Sequence, residues 1–168
     1  MSAPSGEGVG LSPVMRLEKI VSGGQTGADQ AALVVACERG LQLGGWVPKG
    51  RLAEDGPIPE RYAGLVETES SDPAVRTSLN VRDSDATLIV SHGPLTGGSL
   101  LTREEVRRWG KPMLHLDLHE TTLVMAVARL RLWLDAVDPR TLNVAGPRAS
   151  KDAAIFAAVV ALLRSVLP

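Results

Sequence analysis

The sequence has very little of the chemistry that defines several large protein classes. A single cysteine, Cys37, excludes an intrachain disulfide and a cysteine-cluster metal site, and its position within a helical run predicts a packed core thiol. Three scattered histidines form neither H-x-x-x-H nor H-E-x-x-H, which argues against a catalytic zinc site. No serine lies in a G-x-S-x-G pattern, so the nucleophile elbow of a serine hydrolase is absent.

The chain also lacks a large net charge and long hydrophobic runs. A net charge of −1 gives no sign of a nucleic-acid partner or an anionic membrane surface. No apolar run reaches membrane-spanning length and no signal-peptide core is present, which predicts a cytoplasmic protein. A length of 168 residues with 44% hydrophobic content is enough for one core. We expect a disordered tail over residues 1–16, rich in Gly, Ser and Pro, and one domain over residues 17–168.

Beyond the tail, apolar segments of strand length alternate with segments of helix length. Predicted strands are residues 17–21, 41–47, 64–69, 86–91, 112–117 and 142–145, and predicted helices are residues 28–39, 72–83, 99–109, 120–137 and 150–166. Apolar strands separated by helices predict a single Rossmann-like α/β domain, doubly wound around a mainly parallel sheet with helices on both faces. In such folds the loops after the strands share one edge of the sheet, where ligands bind.

The loop after the first predicted strand, S-G-G-Q-T-G-A-D-Q, is the most informative segment. Its glycines Gly23, Gly24 and Gly27 leave backbone N–H groups bare before a helix N-terminus, where anions bind. Gln25 and Thr26 add side-chain donors. The loop matches neither a Walker A motif nor a dinucleotide fingerprint, so the alternative is a tight turn without ligand. With a ligand at the loop, Gly24→Val is expected to abolish binding and leave the fold intact.

Two further loops repeat this pattern at strand ends. The segment S-H-G-P-L-T-G-G-S follows the fourth predicted strand and places Thr96, Gly97, Gly98 and Ser99 before a helix. The segment A-G-P-R-A-S-K follows the last strand and contributes Arg148. Three glycine-containing loops with hydroxyl or basic residues on one sheet edge favour a site for a phosphorylated small molecule over three turns.

Two other groups of polar residues are open to two interpretations each. Lys49 and Arg51 lie in a proline-rich loop, either as a flap whose cations reach a phosphate or molybdate, or as solvated surface residues. Arg76, Asn80 and Asp83 share one helical face, which either faces the site or is the solvated side of the helix.

Five motifs together resemble one known family. They are G-G-Q-T-G-A-D, W-V-P-K-G-R-L-A-E-D-G-P-I-P, R-T-x-x-N-V-R-D-S-D, L-T-G-G-S and L-N-V-A-G-P-R-A-S-K. From about Lys19 to the C-terminus the chain resembles the "putative molybdenum carrier" family, which is similar to molybdenum cofactor carrier proteins and is related to the lysine-decarboxylase-like phosphoribohydrolases. The resemblance implies a compact Rossmann-like fold, usually oligomeric, with an anionic or phosphorylated ligand at Gly23–Gly27 and Thr96–Ser99.

Catalytic residues are harder to assign. The related phosphoribohydrolases carry P-G-G-x-G-T-x-x-E with a catalytic glutamate; here T-G-G-S-L-L-T-R-E keeps the glycine pair and an acid, Glu104, but loses the second G-T. Glu104 is equally typical of a first-turn acid that opposes a helix dipole. Asp29 and Asp83 are the other candidates. His92 lies at a strand end, but sequence spacing identifies no partner for it, which favours an ordinary loop histidine.

Two classes of function follow. In the first, the protein binds a phosphorylated cofactor, such as the molybdenum cofactor or a nucleotide, and breaks no bond. In the alternative, it is a small nucleotide or phosphate-ester hydrolase (an NTPase or phosphoribohydrolase-like enzyme), and Asp29, Asp83, Glu104 or a bound Mg²⁺ activates water. The apolar helix near residues 123–137 favours a homo-oligomer, although a helix packed on both sides inside the core would show the same pattern; we expect no protein-held metal, nucleic acid or membrane partner.

Overall fold

The computed structural model describes residues 14–168, which form a six-stranded sheet, a two-stranded hairpin and five helices. The strands are β1 (Lys19–Val21), β2 (Gln42–Val47), β3 (Leu52–Ala53), β4 (Gly56–Pro57), β5 (Leu65–Glu67), β6 (Ala86–Ser91), β7 (Met113–Asp117) and β8 (Thr141–Ala145). The helices are α1 (Ala28–Glu38), α2 (Pro73–Arg82), α3 (Gly97–Trp109), α4 (Leu123–Val137) and α5 (Ile155–Val166). The sequence pattern did not predict the β3–β4 hairpin, whose strands have two residues each.

The large sheet is parallel throughout, in the order β5-β2-β1-β8-β6-β7. Helices α1 and α4 pack against α5 on one face, and α2 packs against α3 on the other. Because helices cover both faces, all six residues of β6 are buried, as the uninterrupted apolar segment A-T-L-I-V-S indicates. The predicted doubly wound α/β fold is therefore confirmed.

Two hydrophobic clusters hold the sheet and its loops in place. The larger lies between the sheet and helices α1, α4 and α5, and includes the fully buried Ile20, Leu88 and Leu163. The smaller lies beneath the loop between β2 and β5, where Ile58 packs with Val47 and three other buried residues. This second cluster anchors the long loop on α1 and β2 beside the first glycine loop.

The winding of the sheet reverses between β1 and β6. Helix α1 carries the chain from β1 outward to β2, whereas α3 carries it from β6 outward to β7, in the opposite direction. Strand β8 lies between β1 and β6, so the carboxyl ends of these three strands meet at the reversal. Ligands of doubly wound sheets bind in the crevice at such a point. The three glycine-containing loops follow these three strands.

Helix α5 begins five residues later than predicted. In the intervening turns, the Asp152 carboxylate accepts a hydrogen bond from the Ala154 N–H, and the Asp152 carbonyl accepts one from the Ile155 N–H. The helix therefore starts at Ile155. Lys151 and Asp152 therefore precede the helix and lie beside the carboxyl ends of the strands, where they line cavities.

Helix α4 is apolar on two sides. Ala126, Leu130 and Leu134 are buried against the core, whereas Val124 and Leu132 are 78% and 71% exposed. This exposed surface is the feature behind the homo-oligomer expectation, which stays a prediction.

Three further observations concern the predicted tail, the cysteine and membrane-spanning helices. The predicted tail falls mostly on residues 1–13, which lie outside the described residues. The prediction of a packed core thiol is wrong, because Cys37 is exposed near the end of α1, one helical step beyond the buried Ala36. No helix within residues 14–168 is long and apolar enough to cross a bilayer.

Candidate functional site

The glycines of the first loop make room for other parts of the protein. A Cβ on Gly23 would overlap the guanidinium of Arg76, which reaches the loop from α2. A Cβ on Gly27, where φ is +79°, would overlap the carbonyl oxygen of Pro147. These two positions let α2 and the loop after β8 approach the first loop closely.

Gly24 likewise faces the core. Its φ is +72°, and a Cβ there would lie 2.8 Å from Ile58 Cδ1 and 3.1 Å from Val47 Cγ1. Both neighbours belong to the smaller hydrophobic cluster. The expectation that Gly24→Val leaves the fold intact is therefore wrong, since valine would be strained at this φ and would displace the cluster.

The amides of the first loop already have protein acceptors. Gly24 N–H donates to Ser22 Oγ (3.3 Å), Gln25 N–H to Asp29 Oδ2 (3.2 Å), and Thr26 N–H to the Gln25 side-chain oxygen (3.0 Å). Three amides of the loop are thus bonded to protein acceptors and are not bare. It contributes to the site through the side chains of Gln25 and Asp29.

A small cleft of about 50 Å³ opens between the three glycine loops. Its lining residues are Gln25, Asp29, Arg76, Thr77, Thr96, Gly98, Ser99, Thr102, Ala145, Gly146, Pro147, Arg148 and Lys151. They come from the loops after β1, β6 and β8 and from α2 and α3, so the topology of the sheet positions every one of them.

A buried ion pair forms the floor of the cleft. Arg76 Nη1 lies 3.6 Å from Asp29 Oδ2, and the two side chains are 15% and 6% exposed. Burial raises the pKa of Asp29 above its ordinary value, against the opposing charge of Arg76. Arg76 Nε is buried and has no hydrogen-bond partner among residues 14–168. A buried donor without a partner costs about 1–3 kcal/mol, and this one lies where the guanidinium packs against Gly23.

The N-terminus of α3 forms the opposite wall. In residues 14–168 the Thr96 side chain makes no capping hydrogen bond to this helix, and the amides of its first turn, from Gly97 to Ser99, have no intrahelical acceptor. The Nζ atom of Lys151 lies 2.6 Å from where a Cβ on Gly97 would stand. A cation at a helix N-terminus opposes the helix dipole, so this arrangement becomes favourable when an anion lies between them.

Glu54 connects the long loop to the two glycine loops beside the cleft. Its carboxylate accepts hydrogen bonds from Thr26 Oγ1 (2.6 Å), Ser150 N–H (3.0 Å) and Ser150 Oγ (2.5 Å), and lies 3.9 Å from Arg148 Nη1. The hydrogen bonds, those from Ser150 first, lower the pKa of the Glu54 carboxyl below its ordinary value. The Thr26 side chain therefore binds Glu54 and does not line the cleft.

We expect Glu54→Gln to increase amide hydrogen exchange across residues 49–58 about tenfold at neutral pH, because the charge-assisted hydrogen bonds are lost. A carboxyl whose pKa is lowered on folding stabilises above its unfolded pKa and loses this effect as the pH falls through its folded value. Protection of the wild-type amides, measured relative to the intrinsic exchange rate at each pH, should therefore fall below pH 4.5, and the variant should lack this fall. Asp55→Asn, at an exposed neighbouring carboxylate, is the control; equal exchange in all three proteins contradicts the assignment.

Asn80 and Asp83 contact strand β2. The Asn80 side chain accepts a hydrogen bond from Trp46 N–H (2.7 Å) and donates one to the Trp46 carbonyl (3.0 Å). Asp83 accepts from the Trp46 indole N–H (2.8 Å), and its hydrogen bonds from Arg82 and Trp46 lower its pKa below the ordinary value. Asn80 lines only a small void behind the cleft together with Gly23, and Asp83 lies outside the cleft.

Three further predicted residues lie away from the cleft lining. Lys49 is exposed, and Arg51 Nη1 donates to the Leu65 carbonyl (3.3 Å) at the edge strand β5. Glu104 is 53% exposed and pairs with Arg107 on the outer surface of α3. Gln25, Arg76, Thr96, Gly98, Ser99 and Arg148 do line the cleft, as does the catalytic candidate Asp29.

Sequence reasoning missed two features of the site. Lys151 was not singled out as a ligand-binding residue, although it lines the cleft. His92 Nδ1 lies 2.6 Å from Asp152 Oδ2, a pairing across 60 residues that no spacing rule shows. This pair lines a compartment that adjoins the cleft through Thr96 and Ser99. In the described chain, no three His, Cys, Asp or Glu side chains are grouped to hold a metal ion.

Fold and site together define a Rossmann-like α/β protein with a cation-lined cleft at the switch point of its sheet. The circularly permutated YpsA SLOG family matches residues 20–167, and the chain belongs to that family. It is similar to the crystal structure of a protein named "putative molybdenum carrier protein" from Syntrophus aciditrophicus SB. The two share 48% sequence identity over 91% of this chain and 96% of that one, with a TM-score of 0.88. No match was found among curated proteins. The family resemblance carried by the five motifs is confirmed.

Proposed function

We propose that the protein binds a phosphorylated small molecule in the cleft and serves as a molybdenum cofactor carrier. The observation that carries this proposal is the convergence of Arg76, Arg148 and Lys151 on one cleft at the open N-terminus of α3. Among the residues that line the cleft, these three cations face one carboxylate, Asp29, and Arg148 also lies 3.9 Å from Glu54 beside the cleft, so an anion would neutralise the positive charge that remains. The name of the solved relative supports the choice of cargo.

The donors in the cleft fit the organic part of such a cargo. Within the lining of the cleft, as the described chain forms it, there is neither a cysteine nor a histidine. The protein would therefore hold the cofactor by its phosphate and pterin groups and leave the metal free of protein ligands. Lys151 and the α3 amides would hold the phosphate, and the hydroxyls of Thr96 and Ser99 would donate to it.

Lys151→Met is expected to lower the affinity for the phosphorylated ligand about tenfold or more, because one charge-assisted contact is removed. The measurement is the shift in melting temperature with AMP, ATP, inorganic molybdate and molybdenum cofactor. Binding to the folded state adds about 2.7 kcal/mol at a ligand concentration of 100 Kd. Lys49→Met, which removes the same charge from an exposed position outside the cleft lining, is the matched control.

The outcomes separate the alternatives. A stabilising ligand recovered unchanged, with binding lost in Lys151→Met and kept in Lys49→Met, supports the carrier. Absence of stabilisation by every compound contradicts the proposal. Equal losses in the two variants would show that the loop carrying Lys49 closes over the ligand, as the flap interpretation of the sequence predicts.

A further inference from the structure

We propose that His92 and Asp152 give the cleft a phosphate-ester hydrolase activity, with His92 as the base that activates water. The inference rests on the proposed phosphate site and goes beyond carriage, because a bond of the bound molecule is broken. His92 follows β6 directly, and Asp152 precedes α5. The fold thus brings both residues to the edge of the sheet that holds the cleft.

The geometry is that of a carboxylate orienting an imidazole. His92 Nδ1 and Asp152 Oδ2 are 2.6 Å apart, and the two side chains are only 20% and 17% exposed. Because a carboxylate accepts, Nδ1 carries the proton, and in the neutral imidazole the lone pair lies on Nε2. Nε2 makes no hydrogen bond to any other residue in the described part of the chain. An imidazole in this tautomer is oriented to take a proton from water.

The pairing is not needed for the local fold. Asp152 uses its other oxygen, Oδ1, to accept the Ala154 N–H (3.0 Å) before α5. An asparagine would make that contact equally well, so the charge of Asp152 is available for the histidine. The carboxylate therefore has one structural contact and one contact that only a histidine partner explains.

The other two histidines lack this arrangement. His115 Nε2 bonds to Ser91 Oγ (2.7 Å) inside the sheet, and burial lowers the pKa of its imidazole below the ordinary value. The His119 ring lies 5.2 Å from that of His92 between centroids and lines a neighbouring pocket, and it forms no salt bridge with a carboxylate among residues 14–168. His119 is therefore a neighbour of His92 that suits a control substitution.

The compartment of His92 continues into the phosphate site. Thr96, Ser99, Pro147 and Lys151 line both spaces. A phosphate held between Lys151 and the N-terminus of α3 thus lies at the boundary between the cleft and the compartment of His92. The remainder of the ligand occupies the cleft near Arg76, and water reaches the phosphate from the side of His92.

The reaction is a hydrolysis that consumes one water. The water oxygen forms a bond to phosphorus while Nε2 of His92 takes its proton, and the bond from phosphorus to the leaving oxygen breaks. The proton then passes to the leaving oxygen, so neither oxidant nor reductant takes part. Lys151, Arg148 and the α3 amides face the charge that develops on the phosphoryl oxygens.

The test measures release of inorganic phosphate from AMP and ATP, each with and without Mg²⁺, together with thermal stabilisation by the same compounds. We expect Asp152→Asn and His92→Ala to lower kcat about 100-fold with KM and stabilisation kept within about twofold. Added imidazole should restore part of the activity of His92→Ala, which a merely structural histidine would not allow. His119→Gln should retain wild-type turnover.

Each result decides between the claims. Stabilisation by AMP or ATP without phosphate release overturns the hydrolase and leaves the binding proposal standing. Release that survives in His92→Ala, or that falls equally in His119→Gln, assigns the chemistry elsewhere and also overturns the inference. Absence of stabilisation by every phosphorylated compound, in the wild type, overturns both.

Discussion

Arg76→Met is expected to abolish measurable ligand stabilisation and to lower the free energy of unfolding by about 3 kcal/mol. The variant removes a guanidinium that lines the cleft and leaves Asp29, 6% exposed, buried without its cation. The burial that already raises the pKa of Asp29 is then opposed only by the hydrogen bonds from the Gln25 and Gly23 backbone and by the charge of Arg148, so uptake of a proton by the carboxyl becomes easier and limits the loss. Urea unfolding measures the stability, and melting with and without AMP measures the binding.

A double variant separates the two effects. Asp29→Asn keeps an oxygen for the Gln25 N–H but carries no charge, so Arg76→Met combined with Asp29→Asn should recover most of the lost stability. Binding should remain lost, because the cation is still missing. A single Arg76→Met variant that binds AMP with wild-type affinity would show that the guanidinium serves only to pair Asp29.

The helices and strands follow from sequence signals that span a few residues, and contacts between distant parts of the chain do not change them. The apolar segment of β6 is buried on both faces, and the glycine that ends α3, Gly110, adopts the left-handed conformation of a helix C-terminus. Asp72 caps α2 through the Ala74 N–H (2.9 Å), and Pro73 occupies its first position. These signals act over a few residues, so the sequence alone reveals them.

The site depends on contacts that no local signal contains. Glu54 bonds to Thr26 across 28 residues, and His92 to Asp152 across 60. The loop glycines could be recognised as special, but not what they approach, since Gly23 meets a side chain from α2. The sequence pattern placed Lys151 in the first turn of α5, whereas it lies in the turns before that helix, which begins at Ile155.

The free protein holds positive charge in places that cost stability. Lys151 lies at a helix N-terminus that repels it, and Arg76 Nε is buried without a partner among residues 14–168. Such groups persist in functional sites because a ligand satisfies them. The two candidate anion sites differ in the same respect. In the first loop the N–H groups of Gly24, Gln25 and Thr26 donate to protein acceptors, whereas the first-turn N–H groups of α3 have no intrahelical acceptor. We therefore place the anion at α3.

Two glycine variants test this placement. Gly27→Ala should destabilise the fold by about 3 kcal/mol or more, since φ of +79° strains alanine and its Cβ would overlap the Pro147 carbonyl and approach the Ala149 amide to 2.9 Å. Neither backbone group can move away unless the whole loop after β8 moves. The variant should therefore have a lower melting temperature than the wild type, with or without ligand.

Gly98→Ala should have the opposite effects. Gly98 lies in the first turn of α3 and lines the cleft, and apart from its chain neighbours and the adjacent backbone of α3, no atom of residues 14–168 lies within 4 Å of the position that a Cβ on it would occupy. Alanine favours a helix over glycine by up to about 1 kcal/mol, so the ligand-free protein should melt at the same temperature or higher. The added methyl group occupies space that a phosphate needs at the helix N-terminus, so stabilisation by AMP should fall about tenfold in apparent affinity. If Gly98→Ala binds AMP as the wild type does, the anion lies elsewhere in the cleft, and the roles proposed for Arg76, Arg148 and Lys151 have to be revised.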